Sequence, residues 1–199
     1  MSRILIAGAT SGMAQAAARH FATEGATLML AGRDEGRLEA NADDLRVRGA
    51  TRVETFAIDF DDIDRHAALL AESEVQLGGI DLVLVAWGVL PDQAGSEREI
   101  DLAMSAWHTN ATAAIAFLNR VARVLSLQRQ GRLVVIGSVA GDRGRRDNYL
   151  YGASKAAVDT YLQGRRAHLH RAGVRVITVK PGPTDTPMTA DMRKGPVFT

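Results

Sequence analysis

Short apolar runs with the character of β-strands alternate with longer helical patterns along the whole sequence, and this alternation restricts the fold more than any other feature. The six candidate strands are Ile4 to Ala7, Thr27 to Ala31, Val53 to Ile58, Leu82 to Ala86, Leu133 to Gly137 and Val174 to Val179. Most are continuously apolar, as expected of a parallel sheet that is covered on both faces. Helices are predicted between them at 12–24, 35–48, 63–77, 97–127 (interrupted) and 151–172, and a glycine follows each pattern.

Six strands joined by right-handed helical crossovers predict a doubly wound, three-layered α/β sheet of the Rossmann type. The expected strand order is 3-2-1-4-5-6, with a ligand crevice at the carboxyl ends of the strands where the order reverses. The 199 residues contain no linker or low-complexity segment. We therefore predict a single domain over residues 1–199.

Composition excludes several classes of protein. Basic and acidic side chains number 24 and 23, so no broad positive field attracts nucleic acid or an anionic membrane. The longest apolar run, Leu82 to Leu90, is too short for a transmembrane segment. The sequence has no cysteine and its five histidines are scattered, which excludes disulfides and predicts no metal site. We predict a cytoplasmic protein.

A glycine-rich turn follows the first strand and opens the first helix. Small residues at positions 8, 12 and 14 allow a tight turn, the close approach of a pyrophosphate and close packing of the helix. The free amides at the helix start face such an anion. The same pattern also occurs in turns that are purely structural. The functional interpretation predicts a dinucleotide site formed by Gly8, Thr10, Ser11, Gly12, Met13 and Ala14.

The end of the second strand distinguishes NADP from NAD. Many NAD-binding folds place there an acid that bonds the adenosine 2′-hydroxyl, whereas here Gly32 is followed by Arg33. A guanidinium matches a 2′-phosphate, so we predict NADP(H), with NAD(H) as the alternative. Arg33 could instead be solvated or paired at the helix cap beside Asp34. Asp59, after the third strand, either accepts a hydrogen bond from the adenine amino group or caps the following helix.

Tyr151 and Lys155 are four residues apart in a helical pattern, which sets their β-carbons about 5 to 6 Å apart on one face. A nearby ammonium stabilises phenolate, so Lys155 is expected to lower the Tyr151 pKa from about 10 towards neutrality. Tyr151 would then be a proton donor. The same spacing is common on amphipathic helix surfaces, so the pair alone does not identify an active site.

Taken in order, these motifs and others resemble the short-chain dehydrogenase/reductase family over nearly the whole chain. The matching residues are Gly8-x-x-x-Gly12-x-Ala14, Asp59, Asn110, Ser138, Tyr151-x-x-x-Lys155 and Pro181-Gly182 with Thr186. The resemblance implies a single NAD(P)-binding domain over residues 1–199, with a substrate loop at about 183–199. It also implies an oxidoreductase for small-molecule ketones or secondary alcohols that works as a homodimer or homotetramer. In it, Ser138 would bond the carbonyl oxygen and Tyr151 would donate the proton. Lys155 would hold the cofactor ribose, and Asn110 would support Lys155 through a water. Further cofactor contacts are implied at Ala86, Gly88, Tyr151, Pro181, Gly182, Thr184 and Thr186.

The sequence departs from the family pattern in three places. Val85-Ala86-Trp87-Gly88 replaces the usual Asn-Asn-Ala-Gly, and Trp87 either packs over the cofactor or fills the core. Pro183 lacks an amide hydrogen, whereas Thr184 retains its own. Related enzymes continue beyond the last loop into another helix and a seventh strand, so we expect a sheet without that strand in this chain.

Three arginines and two aspartates lie at 141–147, between Ser138 and Tyr151. They would either bind a phosphate or carboxylate or form a solvated loop with internal ion pairs. This stretch, with Lys180-Pro181-Gly182 and residues 185–189, resembles a subgroup related to the reductase subunit of decaprenylphosphoryl-ribose 2′-epimerase, which implies a phosphorylated keto-sugar. Two other interpretations stay open. One is a catalytically silent NADP(H)-binding sensor or structural protein; the other, a sugar-nucleotide epimerase or dehydratase, is disfavoured by the glycine spacing.

Overall fold

The computed structural model describes residues 2–190, which contain one six-stranded parallel sheet. Its order is β3-β2-β1-β4-β5-β6, so the predicted order is confirmed, and each strand begins and ends within two residues of its predicted bounds. No seventh strand occurs between residues 2 and 190. The strands are β1 (Arg3–Ala7), β2 (Thr27–Gly32), β3 (Arg52–Ala57), β4 (Leu82–Val85), β5 (Gly131–Ile136) and β6 (Val174–Val179).

The crossovers are helical, and three of them contain more than a single α-helix. The pattern at 63–77 begins as a 3₁₀ turn, and the pattern at 97–127 is divided, as expected, by a π-helical turn at His108–Thr112. Shorter 3₁₀ turns occupy Ile63–Arg65, Val139–Gly141 and Pro187–Thr189. The helices are α1 (Gly12–Thr23), α2 (Glu35–Val47), α3 (His66–Leu77), α4 (Gln93–Arg98), α5 (Ile100–Trp107), α6 (Ala113–Gln128) and α7 (Tyr149–His170).

Alternate residues of the central strands pack against helices on opposite faces of the sheet, which gives the predicted three layers. Ile4 and Ile6 of β1 lie in the core formed with α1 and α2. Leu5 and Ala7 lie in the core formed with α3, α6 and α7. Both faces are therefore buried, which explains why β1 is apolar without alternation.

The sheet is less completely covered at β6. Val174 and Val176 are buried beneath α6 and α7, but Ile177 and Val179 on the other face are each 41% exposed. In β1, β2 and β3, α1 and α2 cover this face. No large apolar side chain is exposed among the described residues of these three strands.

The carboxyl ends of all six strands meet at one edge, where the predicted site residues follow them. Residues 191–199, the later part of the predicted substrate loop, lie outside the described residues. Within the described part of the chain, no helix is both long and apolar enough to cross a lipid bilayer.

Candidate active site

The turn after β1 passes so close to the end of β4 that only glycine fits at position 8. Gly8 has φ +85°, and a β-carbon there would lie 2.7 Å from the backbone nitrogen of Trp87. Ser11 then caps α1, its Oγ accepting a hydrogen bond from the Ala14 amide at 3.2 Å. The turn thus has the tight approach and helix start of an anion-binding turn.

A groove of about 530 Å³ runs along the carboxyl edge of the sheet from this turn. Ala14 does not line it, because its side chain is buried between α1 and the sheet, where it permits close packing. Ten of the predicted cofactor residues line the groove: Gly8, Thr10, Ser11, Gly12, Met13, Arg33, Asp59, Ala86, Gly88 and Thr186.

Two arginines line the groove near the end of β2, where only Arg33 was predicted. The second, Arg37, donates a hydrogen bond to the Thr10 carbonyl oxygen at 3.1 Å. Asp34 caps α2 through the Arg37 amide at 3.0 Å, so its carboxylate is engaged with the helix start. Side chains in the first turn of a helix point back towards its N-terminus, which was the available sequence signal for Arg37.

The groove wall opposite combines an acidic turn with an aromatic stack. Asp59 lines the groove and accepts a hydrogen bond from the Asp61 amide at 3.1 Å, within the turn that precedes the 3₁₀ segment. The N-cap of that segment is Asp62, so Asp59 does not cap the following helix. Trp87 stacks on Phe60 with ring centroids 4.1 Å apart and meets the edge of Phe117 at 5.3 Å. Trp87 therefore fills the core while also lining the groove, which combines its two predicted positions.

A second pocket of about 120 Å³ adjoins the groove. It is lined by Ser138 and Tyr151 and by the predicted loop residues Pro181, Gly182, Thr184 and Thr186. Both cavities are bounded by Met13, Leu90, Thr186 and Met188, which we call the shared rim. The nucleotide turn and the Ser–Tyr pair therefore open onto neighbouring spaces.

Close backbone packing fixes Ser138 relative to Tyr151. A β-carbon on Gly152 would lie 2.7 Å from the Ala140 carbonyl oxygen, and one on Gly141 would lie 2.9 Å from the Ala156 nitrogen. The 3₁₀ turn after β5 thus packs directly on α7. Ser138 caps that turn by accepting a hydrogen bond from the Ala140 amide at 3.1 Å.

Burial controls the charges of Tyr151 and Lys155. Lys155 is only 9% exposed, and burial lowers its pKa to about 8. Burial raises the pKa of Tyr151, and a hydrogen bond with Ser138 opposes the rise. The expectation that Lys155 lowers the Tyr151 pKa is therefore wrong. Desolvation by burial is the larger cause, and the Lys155 ammonium lies over the tyrosine ring, 5.5 Å from its centroid.

Asn110 is buried in the π-helical turn and clamps the segment after β4. Its Oδ1 accepts from the Val89 amide at 2.9 Å, and its Nδ2 donates to the Val89 carbonyl oxygen at 2.8 Å. A β-carbon on Gly88 would lie 2.9 Å from Asn110 Oδ1 and 3.1 Å from Lys155 Nζ. Asn110 and Lys155 therefore meet beside Gly88. A water between them stays a prediction.

The charged loop at 141–147 takes part in ion pairs, and one of its arginines lines the second pocket. Lys180 Nζ lies 2.7 Å from carboxylate oxygens of both Asp142 and Asp159, and Arg146 lies 3.8 Å from Asp147. Arg145 instead lines the pocket beside Ser138 and Tyr151.

Comparison with known proteins identifies the family. The sequence matches the short chain dehydrogenase family over residues 2–196. An uncharacterized oxidoreductase of Mycobacterium tuberculosis is 37% identical over 194 residues, covering 98% of this chain and 78% of that protein. An uncharacterized oxidoreductase of Streptomyces coelicolor is 39% identical over 188 residues, covering 94% and 74%.

Solved structures agree with the sequence match. Actinorhodin polyketide ketoreductase with NADPH has a TM-score of 0.87 at 26% identity, over 98% of this chain and 78% of that chain. NAD⁺-bound xylitol dehydrogenase has a TM-score of 0.86 at 23% identity, over 92% and 70%, which shows a shared fold. With its parallel sheet and its nucleotide turn, this chain belongs to the short-chain dehydrogenase/reductase family of oxidoreductases.

Proposed function

We propose that the protein is an NADP-dependent oxidoreductase that transfers hydride between the nicotinamide and a ketone or secondary alcohol. One observation carries the proposal: Ser138 and Tyr151 line a pocket that shares its rim with the glycine-turn groove. Lys155 is buried directly behind Tyr151, one helical turn along α7.

The groove suits a dinucleotide phosphate. The backbone approach at Gly8 and the start of α1 would hold the pyrophosphate, and Asp59 would accept from the adenine. Arg33 and Arg37 offer two guanidinium groups to a 2′-phosphate, which favours NADP(H) over NAD(H). The NADPH complex of the related polyketide ketoreductase supports the same preference. When bound, NADPH supplies the hydride that forms the new C–H bond.

The chain's own residues supply the proton. Ser138 donates a hydrogen bond to the substrate carbonyl oxygen, and Tyr151 donates the proton that forms the new O–H bond as the C=O π bond breaks. The raised pKa keeps Tyr151 protonated before transfer. Lys155, with a pKa of about 8, can return a proton to the phenolate near neutral pH. Asn110 positions the backbone at Val89, beside Gly88 and Lys155.

The proposal has four further parts: the substrate class, the oligomeric state, the domain organisation and the location. A phosphorylated keto-sugar is supported by Arg145, which lines the pocket. Association into a homodimer or homotetramer is supported by exposed apolar side chains on α5, which packs beside α7: Ile100, Leu102 and Met104 are 71%, 50% and 56% exposed. A single domain is supported by one sheet that contains all the described strands. A cytoplasmic location stays a prediction from the sequence.

The test is an NADPH oxidation assay with purified protein and a panel of carbonyl compounds that includes phosphorylated keto-sugars. We expect turnover that is lost in Tyr151→Phe and kept in Tyr149→Phe, because Tyr149 bonds to Glu97 on the surface and does not line the pocket. NADPH binding without reduction of any carbonyl would favour a silent cofactor-binding protein. A tightly retained oxidised cofactor would favour an epimerase or dehydratase.

A further inference from the structure

We propose that the carbonyl substrate carries an anionic group, a carboxylate or a phosphate, and that Arg145 binds it. The inference deepens the proposed function and rests on it, because Arg145 lines the same pocket as Ser138 and Tyr151.

The charge of the substrate pocket carries the argument. Among the described residues that line it, Arg145 has the only formal charge. The remaining lining is polar without charge, as at Ser138 and Thr184, or apolar, as at Leu90 and Met188. Arg145 is exposed, so water solvates its guanidinium in the free protein. An anionic group on a bound substrate would replace that water with charge-assisted hydrogen bonds, which a neutral substrate cannot offer.

Nearby carboxylates do not neutralise Arg145. Lys180 Nζ forms an ion pair with Asp142 Oδ1 at 2.7 Å, and Arg146 Nε forms one with Asp147 Oδ1 at 3.8 Å. Over residues 2–190, no carboxylate oxygen lies within 4.0 Å of the Arg145 guanidinium. An incoming anion therefore has no internal ion pair to break, and the planar fork of Arg145 can meet it with two hydrogen bonds.

A second polar side chain of the same pocket, Asn148, has a buried acceptor, Oδ1, that lacks a hydrogen-bond donor among the described residues. A buried acceptor without a donor costs about 1–3 kcal/mol. Because this oxygen is closed to solvent, a substrate in the pocket does not reach it unless the loop shifts, and the inference rests on Arg145.

The experiment compares matched anionic and neutral ketones with NADPH: acetoacetate against methyl acetoacetate, and dihydroxyacetone phosphate against dihydroxyacetone. Arg145→Ala should lower kcat/KM for the preferred anion by about tenfold or more and change the neutral partner less than about threefold. Arg143→Ala and Arg146→Ala are the matched controls, since both side chains are exposed and neither lines the pocket. The two pairs separate a carboxylate site from a phosphate site.

Equal losses on anionic and neutral ketones, or the same loss in Arg143→Ala, would overturn the inference while leaving the proposed function intact. If the unmodified protein reduces no ketone, the proposed function fails. Calorimetric titration of acetoacetate and dihydroxyacetone phosphate into the NADPH-loaded protein then decides the inference alone. Saturable binding of one anion that Arg145→Ala weakens at least tenfold supports it, and no binding of either anion contradicts it.

Discussion

The nucleotide half of the cleft and the substrate half are held in shape by different means. In the nucleotide half, backbone geometry dominates: at Gly8 two strand ends approach too closely for any β-carbon, and the lining mixes Arg33 and Arg37 with Asp59 and Asp61. In the substrate half, side-chain burial dominates, and among the described lining residues one is charged, Arg145. Under the proposed function, the difference means that the first half binds the cofactor and the second controls the proton.

If the two halves act separately, a substitution in the substrate half should abolish turnover without changing the affinity for the cofactor. Tyr151→Phe is expected to lower kcat by about 10²- to 10⁴-fold, because only the proton donor is removed. This equals about 3–5 kcal/mol of transition-state stabilisation. Steady-state kinetics measure the loss, and fluorescence titration should give an NADPH affinity within about twofold of the unmodified protein. A parallel loss of NADPH binding would break the comparison.

A change in the nucleotide half should have the opposite profile. Gly8→Ala places a β-carbon 2.7 Å from the Trp87 nitrogen at φ +85°, so we expect the free energy of unfolding to fall by about 2–3 kcal/mol. NADPH binding should weaken as the turn shifts. Thermal unfolding measures the first effect and titration the second. Gly144→Ala is the control, since no atom lies within 4 Å of its built β-carbon; equal Tm values for the two variants would contradict the backbone argument.

A substitution at Lys155 measures how much the burial of its ammonium group lowers the free energy of unfolding. Its pKa is about 8 in the folded protein against an ordinary value of 10.5, so between these values the unfolded chain keeps a proton that the folded protein has lost. Stability therefore rises with pH across this window. At about pH 7 the buried ammonium is a cost, and Lys155→Met should raise the free energy of unfolding by about 1–3 kcal/mol while abolishing turnover.

Urea unfolding at several pH values measures this difference, which should shrink as the pH approaches 10.5 and the native lysine becomes neutral in the folded protein. Lys180→Met is the matched control with the opposite sign, because Lys180 pairs with Asp142 and Asp159 at 2.7 Å and its loss should destabilise the protein modestly. Destabilisation by both substitutions would argue against a buried charge at Lys155.

The smallest expected effect concerns the preference of the nucleotide half for NADPH over NADH. Arg33→Ala and Arg37→Ala should each weaken NADPH by about tenfold and NADH by less than about twofold, since only NADPH offers a 2′-phosphate. Arg19→Ala serves as the control, because Arg19 pairs with Asp44 away from the groove. Equal losses for both cofactors would refute the phosphate assignment and favour a general charge effect.

The sequence predicted the fold well because its strongest signals are local. Continuous apolar strands, glycine stops and right-handed crossovers suffice for the strand order, and the division of the helix at 97–127 was also anticipated. The sheet edge then gathers the residues that follow the strands. Much of the candidate site could therefore be predicted from the sequence. The glycine-rich turn, Ser138 and Tyr151 all lie where strands or helices begin and end.

What the sequence could not give depends on burial and on loop orientation. The direction of the Tyr151 pKa shift required knowing that the phenol is desolvated and that Lys155 lies over its ring. Arg145 could not be separated from Arg143 and Arg146 by residue type, since only the path of the loop turns one of the three into the pocket. Arg37 depended on a side-chain direction within the first turn of α2.

A crystal structure of the NADPH complex tests the central claim most directly, namely that the two cavities form one reaction cleft. The account predicts the adenosine 2′-phosphate at Arg33 and Arg37 and the nicotinamide ring at the shared rim of Met13, Leu90, Thr186 and Met188, facing the Tyr151 hydroxyl. A nicotinamide ring bound away from that rim, with Tyr151 out of reach of its reactive carbon, would contradict the account.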